Sequence, residues 1–481
     1  MKRYQLAKFL FSLATVSYAG LASAEDLLEV YSMAISSDPT LQGAYAQRMA
    51  TREALPSALA GFLPGINANA QLNSSDSDYE ATLGNISGFP TLPTQTIDRN
   101  YQGNLIMSQT LFNMATWHTF KQAKETVSYA DANYMASEQD LIIRTSTAYF
   151  NLLAALDNLA FVQAEKEAVN RQLDQTNEKF NVGLVAITDV KDLQARYDAS
   201  SAEEIAALNN VGNLRQQLKI LTGVLVEQVD GLQQLPLTSP EPADDSEWVE
   251  MADQYNPTLQ AAKYQANAAE IGVKVAKDQH LPTIEYNAGY GKIRAGSPDD
   301  PIGDWAMQWN SNVVGSISVF NGGAIQSNVR KAQYEHMSVK QQLEQVNRDT
   351  ETATRNAFRN VISAIGQVNA FTRAVDSANA SLEATSAGYD VGTRTSVDLL
   401  AAISNLYQQE SSLATARYNY ILAILQLKQA AGTLNTDDVY AVNQWLQPGS
   451  TQAAEIIKSV PGASGTAADK NVNNYMDNAQ H

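Results

Sequence analysis

No cysteine occurs anywhere in the chain. This excludes disulfides, thiolate metal sites and a lipid-modified N-terminal cysteine. Histidine is almost as scarce. His118, His280, His336 and His481 are scattered without metal-ligand spacing, and no Gly-rich phosphate loop or nucleophile motif accompanies them. An enzyme is therefore a weak reading, and no cofactor is expected. Basic residues are few: 33 Lys and Arg stand against 51 Asp and Glu, a net charge of -18. Such a chain is a poor partner for nucleic acid, and any cavity it encloses is biased toward cations.

Long apolar runs are missing except at the N-terminus. There Lys2, Arg3 and Lys8 precede an apolar stretch from Phe9 to Leu21, followed by Ala22-Ser23-Ala24. Basic, apolar, then small-x-small is the pattern of a secretory signal, so residues 1–24 read as a signal peptide removed before Glu25. The run is shorter than the ~20 residues of a spanning helix and is broken by Ser12, Ser17 and Gly20. No later segment supplies a transmembrane helix. If the mature protein enters a membrane, it does so as a closed β-barrel.

Proline and glycine are unevenly withheld. No proline lies between Pro93 and Pro236, or between Pro301 and Pro448. Only Gly183 and Gly212 interrupt Met114–Thr222, and only Gly366, Gly388 and Gly392 interrupt Ala324–Ala431. Each region therefore reads as two very long helices meeting at a Val-Gly turn, the first reaching on the order of 100 Å at ~1.5 Å per residue. In the second region Leu399, Ile403, Leu406, Leu413, Tyr420, Ile424, Leu427 and Ala431 step by threes and fours, with Glu410 and Arg417 at interrupted positions. Val190, Leu193, Tyr197, Leu208, Val211, Leu218 and Leu221 form a rougher seam in the first.

The chain also repeats itself. Phe180-Asn181-Val182-Gly183-Leu184-Val185-Ala186-Ile187-Thr188-Asp189-Val190 returns 209 residues later as Tyr389-Asp390-Val391-Gly392-Thr393-Arg394-Thr395-Ser396-Val397-Asp398-Leu399. Gln217-Leu218-Lys219 and Gln426-Leu427-Lys428 follow the same frame, and Pro39-Thr40-Leu41-Gln42 matches Pro257-Thr258-Leu259-Gln260. The period is too long for a solenoid, whose units run ~20–50 residues. It marks a duplicated half. The first repeat spans 25–235, a linker 236–247, the second repeat 248–440, and 441–481 reads as a polar C-terminal tail.

Before each long helical region the periodicity falls to two. Ile66, Ala68, Ala70 and Leu72 alternate with Asn67, Asn69, Gln71 and Asn73; Tyr101, Gly103, Leu105 and Met107 alternate with Gln102, Asn104 and Ser108, Ile106 being the exception. In the second half Ile284, Tyr286, Ala288 and Tyr290 alternate with Glu285, Asn287, Gly289 and Gly291, and Val313, Gly315, Ile317 and Val319 with Asn312, Ser316 and Ser318. An apolar face, an amide-rich face and aromatics near strand ends (Tyr286, Tyr290, Trp305, Trp309) match a transmembrane β-barrel. A soluble sandwich with one wet face has the same alternation, but explains neither the signal peptide nor the long helices. The segments between paired strands, Asn73–Asp98 and Ile293–Asp304, are rich in turn residues and read as external loops. Two strands per half make four per chain, below the ~8 a barrel needs, so closure requires several chains. Two chains or three would satisfy that arithmetic.

Ala148-Tyr149-Phe150-Asn151, the run from Gln172 to Thr176 continuing into Phe180–Val190, and Gly388–Thr395 resemble the TolC family of outer-membrane efflux and secretion channels. The resemblance extends over nearly the whole mature chain, to about Val439. It implies a mixed α/β membrane protein in which three chains build a twelve-stranded outer-membrane β-barrel continuous with a twelve-helix periplasmic α-barrel of coiled-coil hairpins. It implies a Gram-negative outer-membrane exit duct for drug efflux and type I secretion, partnered by periplasmic adaptor proteins, inner-membrane efflux pumps, ABC secretion transporters and outer-membrane lipid. Carried over residue by residue, the gate would comprise Thr188, Asp189, Tyr389 and Arg394, with Tyr389 donating to Asp189 and Arg394 reaching Thr188 and Asp189. Val182-Gly183-Leu184 and Val391-Gly392-Thr393 would be the adaptor-docking turns. Asp398 would form an acidic ring able to hold a blocking cation, while Ala401 stands where the family places a second aspartate. On helix physics alone, the two turn glycines terminate helices and Thr188, Asp189 and Asp398 cap or complement the next ones. A secreted coiled-coil filament or adhesin is the non-transport rival, and the four period-two segments count against it.

Overall fold

A computed structural model describes residues 25–81, 92–233, 235–296 and 304–447. The signal peptide and most of the polar tail lie outside the described residues. Each half opens with short helices. In the first these are α1 (Leu27–Ser37), α2 (Pro39–Arg52) and α3 (Ala54–Ala60), followed by strands β1 (Gly65–Ala81) and β2 (Leu92–Phe112). A helical hairpin follows, α4 (Met114–Asn181) and α5 (Ile187–Thr222), and then the short strand β3 (Gly231–Leu232). The second half repeats the order: α6 (Asp245–Tyr255), α7 (Pro257–Asp278), β4 (Thr283–Gly296), β5 (Ala306–Ser316), α8 (Ala324–Asp390) and α9 (Ser396–Ala431). Helix α10 (Thr436–Asn443) and strand β6 (Leu446–Gln447) complete it. No described helix is long and apolar enough to cross a membrane.

The four long strands form one antiparallel sheet in the order β1-β2-β4-β5, and the short β3 and β6 pair separately. Register joins like with like. Ile66, Ala68, Ala70 and Leu72 pair with Met107, Leu105, Gly103 and Tyr101, and Leu105 continues to Tyr290 and Trp309 across the sheet. The other face carries Asn69, Asn104, Gly291 and Gln308 in one row. A Cβ on Gly291 would collide with the Asn104 amide, so glycine there makes room for the polar row. A bulge between Thr110 and Phe112 shifts the parity, and Phe112 pairs with Ile284 on the apolar face.

Several boundaries differ from expectation. The first hairpin continues through 73–81 and 92–98, segments without a regular apolar–polar alternation, and β4 runs on to Gly296. The segments expected as external loops thus lie partly within strands, and 82–91 and 297–303 lie outside the described residues. Strand β5 stops at Ser316, leaving Ile317 and Val319 beyond it. The tail begins later than 441, because α10 reaches Asn443 and Leu446–Gln447 pairs with β3.

Helices α4 and α8 are the long continuous rods, of 68 and 67 residues. Their partners α5 and α9 have only 36 residues each and are extended by stacking on α2 and α7. At the second stack Gly432, at φ 76°, closes α9 against the backbone of Tyr255 and Asn256, where any Cβ would clash. Asn256 caps α7 by accepting from Leu259 N (3.0 Å) and donates through Nδ2 to the Ala430 carbonyl (2.9 Å), joining the helix ends.

The core sits around these junctions. Tyr149, Phe150, Tyr418 and Tyr420 are each no more than 2% exposed. Phe150 stacks on Tyr418 at 5.8 Å, and Tyr418 donates to the buried Asp157 carboxylate. The Tyr149 hydroxyl donates to the Asp230 carbonyl (2.9 Å), while Tyr420 donates to the Thr238 carbonyl (2.9 Å), tying the inter-repeat linker to α9. Asn443 bonds Asp26 at 2.9 Å, fastening the C-terminal helix beside α1.

Candidate functional site: the paired helix turns

At the far end of the hairpins from the sheet, two turns are built alike. Val182 N–H donates to the Glu178 carbonyl, Gly183 N–H to Phe180 (2.9 Å) and Leu184 N–H to Lys179 (2.9 Å). Val391, Gly392 and Thr393 repeat this onto Ala387, Tyr389 (3.1 Å) and Gly388 (2.8 Å), each partner displaced by 209 residues. Gly183 and Gly392 hold φ 80° and 76°, the left-handed conformation that ends a helix this way. Nothing lies within 4 Å of a Cβ built on either glycine, so backbone conformation rather than space selects them. The turns present apolar side chains to solvent: Val182 is 71% exposed, Leu184 75% and Val391 75%.

Polar links between the two hairpins sit just above. The Tyr389 hydroxyl meets Thr176 Oγ1 at 3.1 Å, and Lys179 lies 4.7 Å over the Tyr389 ring with its ammonium 3.5 Å from Asp390. Asp189, in the first turn of α5, accepts from Ser396 Oγ at 3.0 Å. Higher up, Arg196 of α5 pairs with Glu165 of α4 and donates to Ser404 of α9 (2.9 Å), which itself donates to Glu165 (2.7 Å).

The expected gate residues are therefore near one another but paired differently. Among the described residues, the hydrogen bonds include neither Tyr389 to Asp189 nor Arg394 to Thr188 or Asp189. The reason is geometric: Tyr389 ends α8 beside α4, whereas Asp189 begins α5 beside the start of α9. Thr188 is exposed, and Arg394 folds over Gly388, where a Cβ would lie 2.8 Å from its Cγ. Thr176, Lys179, Ser396, Glu165, Arg196 and Ser404 were not anticipated. A single sequence carries no signal for them, since their partners stand on another hairpin or helix and none lies on the apolar seam.

Asp398 closes a capping box. Its Oδ2 accepts from Thr395 N (3.0 Å) and Oγ1 (2.9 Å), while its own N–H donates to Thr395 Oγ1 (3.1 Å). The backbone N–H of Thr395 first, then its hydroxyl and nearby Arg394, hold the Asp398 carboxyl below its usual range. The residue is thus a helix cap that stays ionised, and Ala401 one turn on adds no second carboxylate. Glu410, an interruption in the seam, is fully buried with both carboxylate oxygens unpaired among the described residues, and burial pushes its carboxyl up to about 7. No group of side chains among the described residues is arranged to hold a metal.

The family of outer membrane efflux proteins matches residues 30–224 and 248–433, both halves of the duplication. The chain belongs to that family. It is 34% identical over 473 residues to outer membrane protein TolC of Escherichia coli K12, covering 96% of this chain and 94% of that one. It is 26% identical over 446 residues to the alkaline protease secretion protein AprF of Pseudomonas aeruginosa, covering 90% and 89%. The fold matches the Campylobacter jejuni CmeC outer membrane channel with a TM-score of 0.71 at 18% identity, covering 88% of this chain and 90% of that one. The family is one of Gram-negative outer-membrane channels, not enzymes.

Proposed function

We propose that this protein is the outer-membrane exit duct of efflux and type I secretion assemblies, working as a homotrimer that is gated at the paired turns. The observation that carries this is the sheet. Its four strands leave β1 and β5 as open edges of 17 and 11 residues, each a row of unsatisfied backbone groups. In a bilayer such edges are not tolerated, so neighbouring chains must pair with them. Three chains give twelve strands, enough for a lumen lined by the amide rows. The helical layer repeated three times becomes a twelve-helix tube, and passage through it is passive.

Periplasmic adaptor proteins, and through them inner-membrane pumps or ABC transporters, dock on the exposed Val182-Gly183-Leu184 and Val391-Gly392-Thr393 turns. The gate comprises Thr188, Asp189, Tyr389 and Arg394 together with Thr176 and Ser396, whose single bonds hold the hairpins inward. Asp398 and its two symmetry mates form one acidic ring at the entrance. Divalent cations are expected to block from the periplasmic side, more weakly than with two rings, and Ala401→Asp should strengthen the block.

Cross-linking and native mass spectrometry of the full chain in detergent test the assembly. A trimer is expected, and a stably folded monomer that keeps its β-structure would overturn the reading. Replacing Gly183 or Gly392 with tryptophan should abolish efflux while sparing membrane insertion. Undiminished resistance in both variants would remove the turns from docking.

A further inference from the structure

The first three turns of α4, where the sheet gives way to the helices, carry with Phe62 a group that neither the proposed gate nor the barrel uses. Phe62 packs edge-on against Trp117 (6.2 Å, 82°) and Phe120 (6.1 Å, 86°). The Lys121 ammonium lies 5.5 Å over the Trp117 ring, and that of Lys124 lies 5.0 Å over Phe120. Trp117 is 46% exposed although it is the largest side chain in the group. Trp117, Lys121 and Lys124 share one face of the helix by their spacing of four and three.

We propose that this platform holds an anionic phospholipid of the membrane's periplasmic leaflet, with the rings in the interface and Lys121 and Lys124 on the headgroup phosphate. The proposal rests on the reading that the sheet spans the outer membrane.

Three observations select a lipid phosphate. The first is continuity with the apolar sheet face. Phe112, paired on that face with Ile284, lies two residues before α4 begins. From Met114, Lys121 is about 10 Å along the helix and Lys124 about 15 Å. Helical side chains point back toward the N-terminus and lysines extend their heads to the interface, which brings both ammonium groups toward the headgroup layer. Aromatic rings with a polar neighbour favour that layer.

The second is charge. In a chain of net charge -18, neither lysine has an ion-pair partner among the described residues, and two acids beside these turns of α4 are engaged elsewhere. Asp278 pairs with His118, and Glu125 accepts from Asn267 at 3.2 Å. The third is the duplication. In the 209-residue frame the equivalent positions are Gln326, Val329, Arg330 and Gln333, with no aromatic and one cation. The second half makes the same junction without the platform, so the fold does not require it. One such platform occurs among the described residues of each chain.

The test uses the full-length protein in detergent, titrated with phosphatidylglycerol or phosphatidylcholine and read by native mass spectrometry. Flotation with phosphatidylcholine vesicles provides a parallel readout of membrane insertion. Wild type should retain phosphatidylglycerol preferentially. Lys121→Gln with Lys124→Gln should weaken that retention roughly thirtyfold, since each cation near a lipid surface contributes severalfold, and leave phosphatidylcholine retention and flotation unchanged. Trp117→Ala should weaken retention of both lipids. Equal phosphatidylglycerol retention by wild type and the double variant, with normal flotation, would overturn the lipid site alone. A lysine variant that loses adaptor capture but keeps the lipid would overturn it in favour of a protein surface. Failure of wild type to float would remove the membrane reading and the site with it.

Discussion

The two ends of the helical hairpins are held together by different physics. Around the stacked helix junctions, Tyr149, Phe150, Tyr418 and Tyr420 are buried, and the three tyrosine hydroxyls donate to Asp230, Asp157 and Thr238 respectively. At the turns, the hairpins are joined by Thr176 to Tyr389, Asp189 to Ser396, and a partly exposed Lys179–Asp390 pair. A buried aromatic removed from a core costs about 3–5 kcal/mol, whereas one net hydrogen bond contributes about 0.5–1.5 kcal/mol. Exposed ion pairs contribute less still. The junction is therefore a fixed collar, and the turns are an end that small energies can move. The gate proposed at the turns would draw on that inequality.

The largest effect should come from breaking the collar. Phe150→Ala removes a fully buried ring from between Tyr149 and Tyr418, at 5.5 and 5.8 Å. A loss of about 3–5 kcal/mol is expected, measured as a sharply lowered midpoint of denaturant unfolding or as lost assembly. A variant as stable as wild type would mean that the collar is not where stability resides.

Next in size is Glu410, which lies on the seam between collar and turns. Burial raises its carboxyl from 4.5 to about 7 in the folded protein, so the native state binds the proton more tightly than the unfolded chain. Its stabilising contribution is complete below pH 4.5 and is lost as pH rises through about 7. Glu410→Gln should therefore be more stable than wild type at pH 8, by up to about 3 kcal/mol, and nearly equal to it at pH 4.5. Unfolding midpoints at the two pH values check this. A gain that is the same at both would show packing rather than protonation.

Smaller in stability, though not in function, are the turn bonds. Ser396→Ala and Tyr389→Phe should each lower unfolding stability by no more than about 1 kcal/mol. Asp398→Ala should relieve divalent-cation block in planar bilayers, sharpening the contrast by separating charge at the entrance from the bonds that close it. A block indifferent to that change, and to Ala401→Asp, would leave Asp398 as a helix cap alone.

The collar and the turns were also unequally legible. Long helices showed in the withheld proline, strands in the period of two, and the turns in a repeated segment whose glycines need positive φ. These are local signals. The stacking of α5 on α2 and of α9 on α7 was hidden, because nothing in a seam such as Leu427–Ala431 says that Asn256 continues it. The segments 73–81 and 92–98 concealed their strand character because the first is polar up to Tyr79 and the apolar Leu92, Pro93 and Ile97 of the second do not alternate with its polar residues. Of the proposed gate, Asp189, Tyr389 and Arg394 are indicated by the resemblance. Their partners Thr176 and Ser396 are not, since a hydroxyl on a helix has no sequence signature for the bond it makes across 213 or 207 residues.

Single-channel conductance of Tyr389→Phe combined with Ser396→Ala, recorded beside wild type and the Ala401→Asp variant, addresses the inequality between the two ends most directly. The double change removes the two hydroxyl links between the hairpins nearest the turns and leaves the collar untouched. Conductance should rise severalfold while the unfolding midpoint shifts by no more than about 2 kcal/mol in stability. An unchanged conductance with both bonds removed would contradict the account, and would place the constriction somewhere other than the paired turns.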